Sequence, residues 1–362
     1  MARRRDGLST GYPQAYWWTH DRTTVLRDSD NMFGPPIPLP FDPSLLRLGR
    51  DLRARGIEPC ALPTEWFRVR RGVWIATVVW QELTPEYQHA ARVHAAAMTL
   101  TSKVPLAFAR ASAAAVLVLP RISPWPTRVQ ILGDPWNGAD NGHRHRGSRA
   151  GMSRCIGACD RLMSLHGLLI TPVARTVVDL ARSDRLDNAL AAGDQALRRE
   201  WCSRDEIAEE VAAIPRRARG RKQAQLFSNL VDGAAHTAGE SLSRLGMFRL
   251  NVPKPILQYP LEDADGAFGF ADFGWRIGAD LIIGEFDGKV KYAVDPELGP
   301  KAAQEALWRE KQREDRIRRQ ADVVRWGMKE ATDLRLLAQR LAEHGILPTA
   351  HNTWFDPPAH PE

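Results

Sequence analysis

The feature that most constrains this chain lies in its last third. Three apolar stretches, Ile256–Leu261, Ala267–Trp275 and Asp280–Phe286, read as strands, with turn chemistry at Ala264-Asp-Gly266 and Asp287-Gly288. A helical pattern precedes them at Thr237–Leu250. It opens on Thr237 and Glu240, which have the spacing of a capping box. A charged helix at Ala302–Arg319, a fourth strand at Asp322–Trp326 and a last helix at Glu330–His344 follow. Helix, hairpin strands, helix, strand, helix buries its apolar faces as helices packed on a sheet, so an α/β domain is expected over residues 233–350.

The rest of the chain reads differently. At ~150 residues per domain, 362 residues allow two or three domains. Residues 1–43 show neither helical nor strand period and end in Gly34-Pro-Pro-Ile-Pro-Leu-Pro40, an irregular arm with a stiff extended segment. Trp17 and Trp18 in that arm either dock on the body or mark a contact site. Leu45, Leu46, Leu48, Leu52 and Ile57 place a helix over 44–60. Trp66-Phe-Arg-Val-Arg-Arg-Gly-Val-Trp-Ile75 reads as two strands turning at Arg71-Gly72. A helix and a basic hairpin outline a winged-helix remnant over 44–84, without a second helix to enter a major groove.

Residues 85–215 read as a mixed, mainly helical domain. Helices are expected at Pro85–Leu100, Ala109–Leu117, Val173–Arg182, Leu186–Arg199 and Ile207–Ile214. Thr171 is the expected cap of the third, and Ser203 with Glu206 caps the last. Arg128–Leu132 alternates like a strand, and 133–153 is a Gly-, Asn-, His- and Arg-rich loop. Residues 216–232 form a basic linker or helix, and 351–362 an irregular tail. The expected fold class is therefore α+β and multidomain.

Charge sharpens this division. The net charge of +7 is uneven: residues 61–232 hold 24 basic against 16 acidic side chains, and residues 233–362 hold 17 against 20. A basic middle attracts phosphate backbones. Its densest run is Arg216, Arg217, Arg219, Arg221 and Lys222, either a solvated linker or a nucleic-acid contact. No apolar run approaches the ~18 residues of a membrane span, and no apolar core follows the basic start Met-Ala-Arg-Arg-Arg. With four cysteines, this points to a cytoplasmic protein without a disulfide framework or membrane partner. His143, His145, Cys155 and Cys159 lack zinc-ribbon spacing, and the cysteine pair reads as helical packing residues.

The residues suited to chemistry are Asp272, Glu285, Asp287 and Lys289. Strand alternation puts Glu285 and Asp287 on one face, with Lys289 joining them if the strand continues. Carboxylates at the ends of apolar strands are costly unless paired or metal-bound. Hard oxygen ligands suit Mg²⁺, which activates a bound water, and a lysine can stabilise developing negative charge. An ion pair from Lys289, Lys291, Lys311 or Arg313 would also satisfy them. Asp287-Gly288 is equally an ordinary turn pair, and Glu240 equally a capping residue.

Asp272 followed by Gly284-Glu-Phe-Asp-Gly-Lys-Val-Lys-Tyr292 resembles a variant PD-(D/E)XK nuclease core of the Vsr-like (very-short-patch-repair) branch. Glu240-Ser-Leu-Ser-Arg244, Glu310-Lys-Gln-Arg-Glu-Asp315 and Val323-Val-Arg-Trp326 extend the likeness over roughly 237–345. The resemblance implies a restriction-endonuclease-like fold that hydrolyses DNA phosphodiesters with Mg²⁺ or Mn²⁺. Asp272, Glu285 and Asp287 would then be ligands, Lys289 a displaced lysine, and Glu240 a completing acid. The expected Glu-x-Lys reads Glu285-Phe286-Asp287 here.

Upstream, Arg68-Val-Arg-Arg-Gly-Val-Trp74, Ala111-Ser-Ala-Ala-Ala115 and Thr171-Pro-Val-Ala-Arg-Thr-Val-Val-Asp-Leu-Ala-Arg182 resemble actinobacterial relatives of AbiEi-type antitoxins. That resemblance implies a DNA-binding wing carrying Arg68, Arg70 and Arg71, and a nucleotidyltransferase toxin as partner. The alternative it opens is a non-catalytic regulator that keeps the nuclease fold as a scaffold. Arg175 and Asp179 are expected to form a structural i,i+4 ion pair.

Overall fold

A computed structural model describes residues 24–26, 35–100, 106–133, 152–156, 159, 161–288 and 300–356. Trp17, Trp18, His143, His145, Lys289 and Lys291 lie outside the described residues. The architecture is mixed α and β, with three sheets among the described residues. No helix there is long and apolar enough to cross a membrane.

After a short strand β1 (Thr24–Leu26), the chain makes a single 3-10 turn at Pro43–Leu45, then β2 (Arg47–Leu48) and α1 (Gly49–Ala54). The helix expected over 44–60 is thus only six residues long. The Pro-rich segment before it docks through buried Ile37 and Phe41. Hairpin β3 (Trp66–Arg70) and β4 (Val73–Ala76) turns at Gly72, whose positive φ suits glycine, and β2 pairs with β4. Residues 55–65 hold no helix, so no recognition helix stands before the hairpin.

Helices α2 (Thr77–Glu82) and α3 (Pro85–Thr99) follow. Alanine-rich α3 belongs to two cores. Ala90, Ala91 and Ala95 pack with Val73, Ile75 and Trp80, whereas Val93 and Ala96 join the main core.

The middle region contains β5 (Ala107–Phe108), α4 (Arg110–Val116), β6 (Val129–Gly133), β7 (Met152–Ile156), β8 (Arg161–Leu165) and β9 (Leu168–Ile170). With β1 they form one sheet in the order β1-β8-β9-β5-β6-β7. Cys155 lies in strand β7, so the helical cysteine pair expected from the sequence does not form; i,i+4 spacing alone cannot distinguish a helix from a strand end. Helices α5 (Val173–Ser183), α6 (Leu186–Arg198), α7 (Arg204–Ala212) and α8 (Arg221–Leu230) pack beside the sheet. The Ser203–Glu206 capping box forms. Thr171 does not cap α5; its hydroxyl meets that of Thr176 instead. Arg175 and Asp179 pair at 2.9 Å.

The last third is α9 (Ala238–Arg249), β10 (Ile256–Asp263), β11 (Gly266–Ile277), β12 (Asp280–Asp287), α10 (Pro300–Arg318), β13 (Asp322–Gly327), α11 (Met328–Thr332) and α12 (Leu334–Ala342). The expected helix 330–344 is divided, because Asp333 leaves helical geometry and caps α12. The sheet order is β10-β11-β12-β13, antiparallel until β13 joins β12 in parallel. A parallel neighbour needs a crossover, which α10 provides.

The middle and last regions share one core. Ala224, Phe227 and Leu230 of α8 are buried in it together with Leu242, Leu245, Phe273 and Trp326. At the seam, Asp194 of α6 and Arg244 of α9 pair at 2.7 Å with 1% and 5% of their side chains exposed. Asp194 also accepts from the Asp232 N–H and the Ser241 hydroxyl, and Arg244 donates to the Leu230 carbonyl. Removing one member of such a pair strands a buried charge, at a cost of ~3–5 kcal/mol. Arg244→Ala is therefore expected to lower the unfolding free energy by that amount, read as a lower urea midpoint, and Arg244→Met, which restores apolar volume, does not relieve Asp194.

Acid sensitivity is also built in. His89 and His94 of α3 are fully buried, and burial pushes both down to about 4. An unfolded histidine titrates near 6.5, so the native state disfavours the proton. Stability is fully present above pH 6.5 and falls as pH drops toward 4, by up to ~3 kcal/mol per histidine. Urea midpoints measured across that window should fall, and less steeply in His89→Gln. A flat profile would contradict the burial.

Candidate functional site

Two of the three carboxylates singled out in the sequence, Asp272 and Glu285, lie where the four-stranded sheet forks, and Asp287 ends β12 beyond them. β11 and β12 pair from Ile277↔Asp280 to Phe273↔Gly284. Beyond that point β11 continues with β10, and β12 with β13. One step further along the register sets Asp272 level with Glu285, at the crotch of the fork. There the Asp272 carboxylate accepts the Phe286 N–H at 2.8 Å, so a side chain takes over where the ladder ends. Asp272 is half-buried and Glu285 is 5% exposed.

The row extends across the sheet. Gln258 of β10 lies between the paired positions Leu257↔Phe273 and Tyr259↔Ala271, level with Asp272, and Glu285 is paired with Arg325 of β13. Glu240 approaches the row from α9. Its carboxylate accepts from the His236 N–H and the Thr237 hydroxyl, and Gln258 Nε2 lies at 3.5 Å. Thr237 Oγ1 in turn accepts the Glu240 N–H, so Glu240 serves the start of α9 while reaching the sheet.

Crossover helix α10 supplies the counter-charge. Arg313 donates to Glu285 Oε1 at 2.9 Å and to the Phe270 carbonyl at 2.8 Å, spanning both arms of the fork. Of the four cations the sequence offered as partners for the site's carboxylates, Arg313 is one that reaches. Asp287 is held differently, by Arg325 at 3.7 Å. Arg325 also lies 3.7 Å from Glu314, and the Arg318 guanidinium bonded to Glu314 holds that carboxyl below its ordinary value. Gln258 and Arg325 were not readable as site residues, because only strand register brings them level.

Glycine controls the approach of α9. A Cβ on Gly239 would lie 2.0 Å from the Phe286 ring, so only glycine lets the helix carrying Glu240 sit this close to β12. Gly239→Ala is expected to destabilise the protein by ~1–3 kcal/mol, the cost of overpacking, read as a lower thermal midpoint.

Two hard oxygen donors on neighbouring strands fit Mg²⁺, which binds through one or two carboxylates and keeps several waters. Among the described residues no group of three or more acidic, histidine or cysteine side chains forms a metal cluster.

The basic residues singled out as DNA contacts are distributed over two places. Arg68 and Arg71 of the hairpin are exposed, and Arg68 lies 5.9 Å from the Trp74 ring. Arg70 turns inward, donating to the Thr99 hydroxyl of α3. Arg216, Arg217, Arg219 and Lys222 are exposed, and Arg221 is half-buried at the start of α8.

No family model matches the chain. Two curated relatives are similar to part of it: "Uncharacterized protein Rv2248" of Mycobacterium tuberculosis H37Rv and "Uncharacterized protein MT2308" of strain CDC 1551 / Oshkosh. Each is 41% identical over 115 residues, which is 32% of this chain and 42% of the relative. The chain thus spans less than half the length of the curated relatives it matches.

Proposed function

We propose that the chain acts on DNA through a C-terminal domain of the Vsr-like PD-(D/E)XK type, hydrolysing phosphodiesters with Mg²⁺ or Mn²⁺. The observation that carries this reading is the placement of Asp272 level with Glu285 where β11 and β12 part, with Asp272 fixed on the Phe286 N–H. The element order α9-β10-β11-β12-α10-β13, antiparallel strands closed by a parallel one, supports the same reading.

Asp272 and Glu285 would hold the metal, which supplies Lewis acidity and an activated water when bound. Asp272 is oriented by the backbone of β12 before any ligand arrives, so its carboxylate needs little reordering. Arg313, 2.9 Å from Glu285, offers a cation beside the fork. Lys289, on the resemblance, stabilises developing negative charge. Glu240 positions the start of α9 and reaches the sheet through Gln258.

A second reading is favoured by one observation: Glu285 and Asp287 already have arginine partners on the protein. A nuclease fold kept as a scaffold needs such pairing to make its carboxylates tolerable. In that case the chain is an AbiEi-type regulator that binds DNA and a nucleotidyltransferase toxin without chemistry. The test is nicking of supercoiled plasmid with Mg²⁺ or Mn²⁺. Cleavage lost by at least 100-fold in both Asp272→Ala and Glu285→Ala supports the nuclease. Activity surviving both changes would sink the site. No cleavage by the wild type, with salt-dependent and metal-independent gel shift of its own promoter, selects the regulator.

A further inference from the structure

The basic run at 216–222 does not behave as a free linker. Gly220 takes a left-handed φ of 80°, and a Cβ there would lie 2.2 Å from the Arg182 carbonyl, so the turn is seated against the end of α5. Gln223 then donates to the Asp184 carbonyl at 2.8 Å. This docking brings Lys222 to the edge of a cleft of about 660 Å³ between the α5–α6 junction, α8 and α9.

The cleft has an apolar floor and a basic rim. Leu226, Leu245 and Phe248 line it, with Lys222, Arg185 and Arg249. Its two acids are already neutralised: Asp187 by Arg185 at 2.5 Å, and Asp184 by Arg121 at 2.5 Å. Lys222 and Arg249 are exposed and make no ion pair with a described residue. The Phe248 ring is steadied by Trp354, edge-on at 5.5 Å, and by Phe355 at 5.7 Å.

We propose that this cleft binds a single-stranded stretch of nucleic acid, with phosphates on Lys222 and Arg249 and a base against Phe248 and Leu226. Surplus positive charge around an aromatic floor is the chemistry that holds single strands with little sequence preference. The exposed Arg216, Arg217 and Arg219 extend the positive surface upstream. Helical rise puts Arg249 about 14 Å along α9 from Glu240, so one rigid helix carries both the cleft and the approach to the forked sheet. The proposal rests on the DNA-acting reading and adds where, and in which form, the strand is gripped.

The experiment is fluorescence anisotropy of the full chain with a labelled oligothymidylate and with a duplex of equal length, over a salt series. Lys222→Glu with Arg249→Glu is expected to weaken oligothymidylate binding at least tenfold. Lys222→Gln with Arg249→Gln should lower the salt slope for oligothymidylate by about 1.4, two phosphate contacts' worth. Both positions are exposed, and an unchanged thermal midpoint verifies folding; if the charge reversal fails to fold, the glutamine pair carries the affinity comparison too. Unchanged affinity and slope in both variants overturn the cleft, as does loss of oligothymidylate binding only on Arg68→Glu with Arg71→Glu. In either case duplex binding by the wild type leaves the DNA-acting reading standing. A wild type that binds neither probe removes both.

Discussion

The ion pair between Asp194 and Arg244 is the interaction on which the rest of the arrangement depends. It joins α6 of the middle region to α9 of the last, out of contact with water. Most of the polar groups around it are used: Asp194 takes up the Asp232 N–H and the Ser241 hydroxyl, and Arg244 reaches the Leu230 carbonyl at the end of α8, while Arg244 Nε is buried without a hydrogen-bond partner among the described residues. An apolar seam of the same volume would hold as well or better. What the charged seam adds is direction, because Arg244 uses Nη2 on both oxygens of Asp194 and Nη1 on the Leu230 carbonyl, so one guanidinium is held from two sides. The orientation of α9 follows from it, and with α9 go Gly239, the close approach to Phe286, and the carboxylate of Glu240.

The forked sheet then does by topology what a single motif does not. Three strands of an antiparallel meander would pair along their length. Here β11 is shared between β10 at one end and β12 at the other, and β12 between β11 and β13. The fork places two acids side by side where the backbone has stopped satisfying itself. Buried Phe273, next to Asp272 on β11, and buried Trp326 of β13 pack with ring centroids 5.3 Å apart in the core.

Much of this was legible in the chain. The strands of the last third, the capping box at Ser203, the side-chain cap at Thr237 (though Glu240 takes the His236 N–H rather than closing a box on Thr237) and the Arg175–Asp179 pair all follow local rules that act over a few residues. What escaped the sequence is long-range. Helix 44–60 looked long because its leucines share a period, yet Ile57 lies past the end of a six-residue helix. Cys155 and Cys159 share a helical spacing, yet the first belongs to a sheet. The reach of Arg313 to Glu285, and the alignment of Gln258 and Arg325 with the acids, depend on register and crossover, which no spacing along the chain encodes.

The fork has a further consequence, for solubility. Where β11 and β12 separate, each leaves one side of its backbone without a strand neighbour among the described residues, which is an edge inside the sheet rather than at its rim. Such edges invite pairing with another chain. Phe270 stands beside this one with 62% of its surface exposed, an apolar face next to an open ladder. Arg313 sits across it, its guanidinium occupying the Phe270 carbonyl. The arginine that balances Glu285 therefore also covers part of this inner edge.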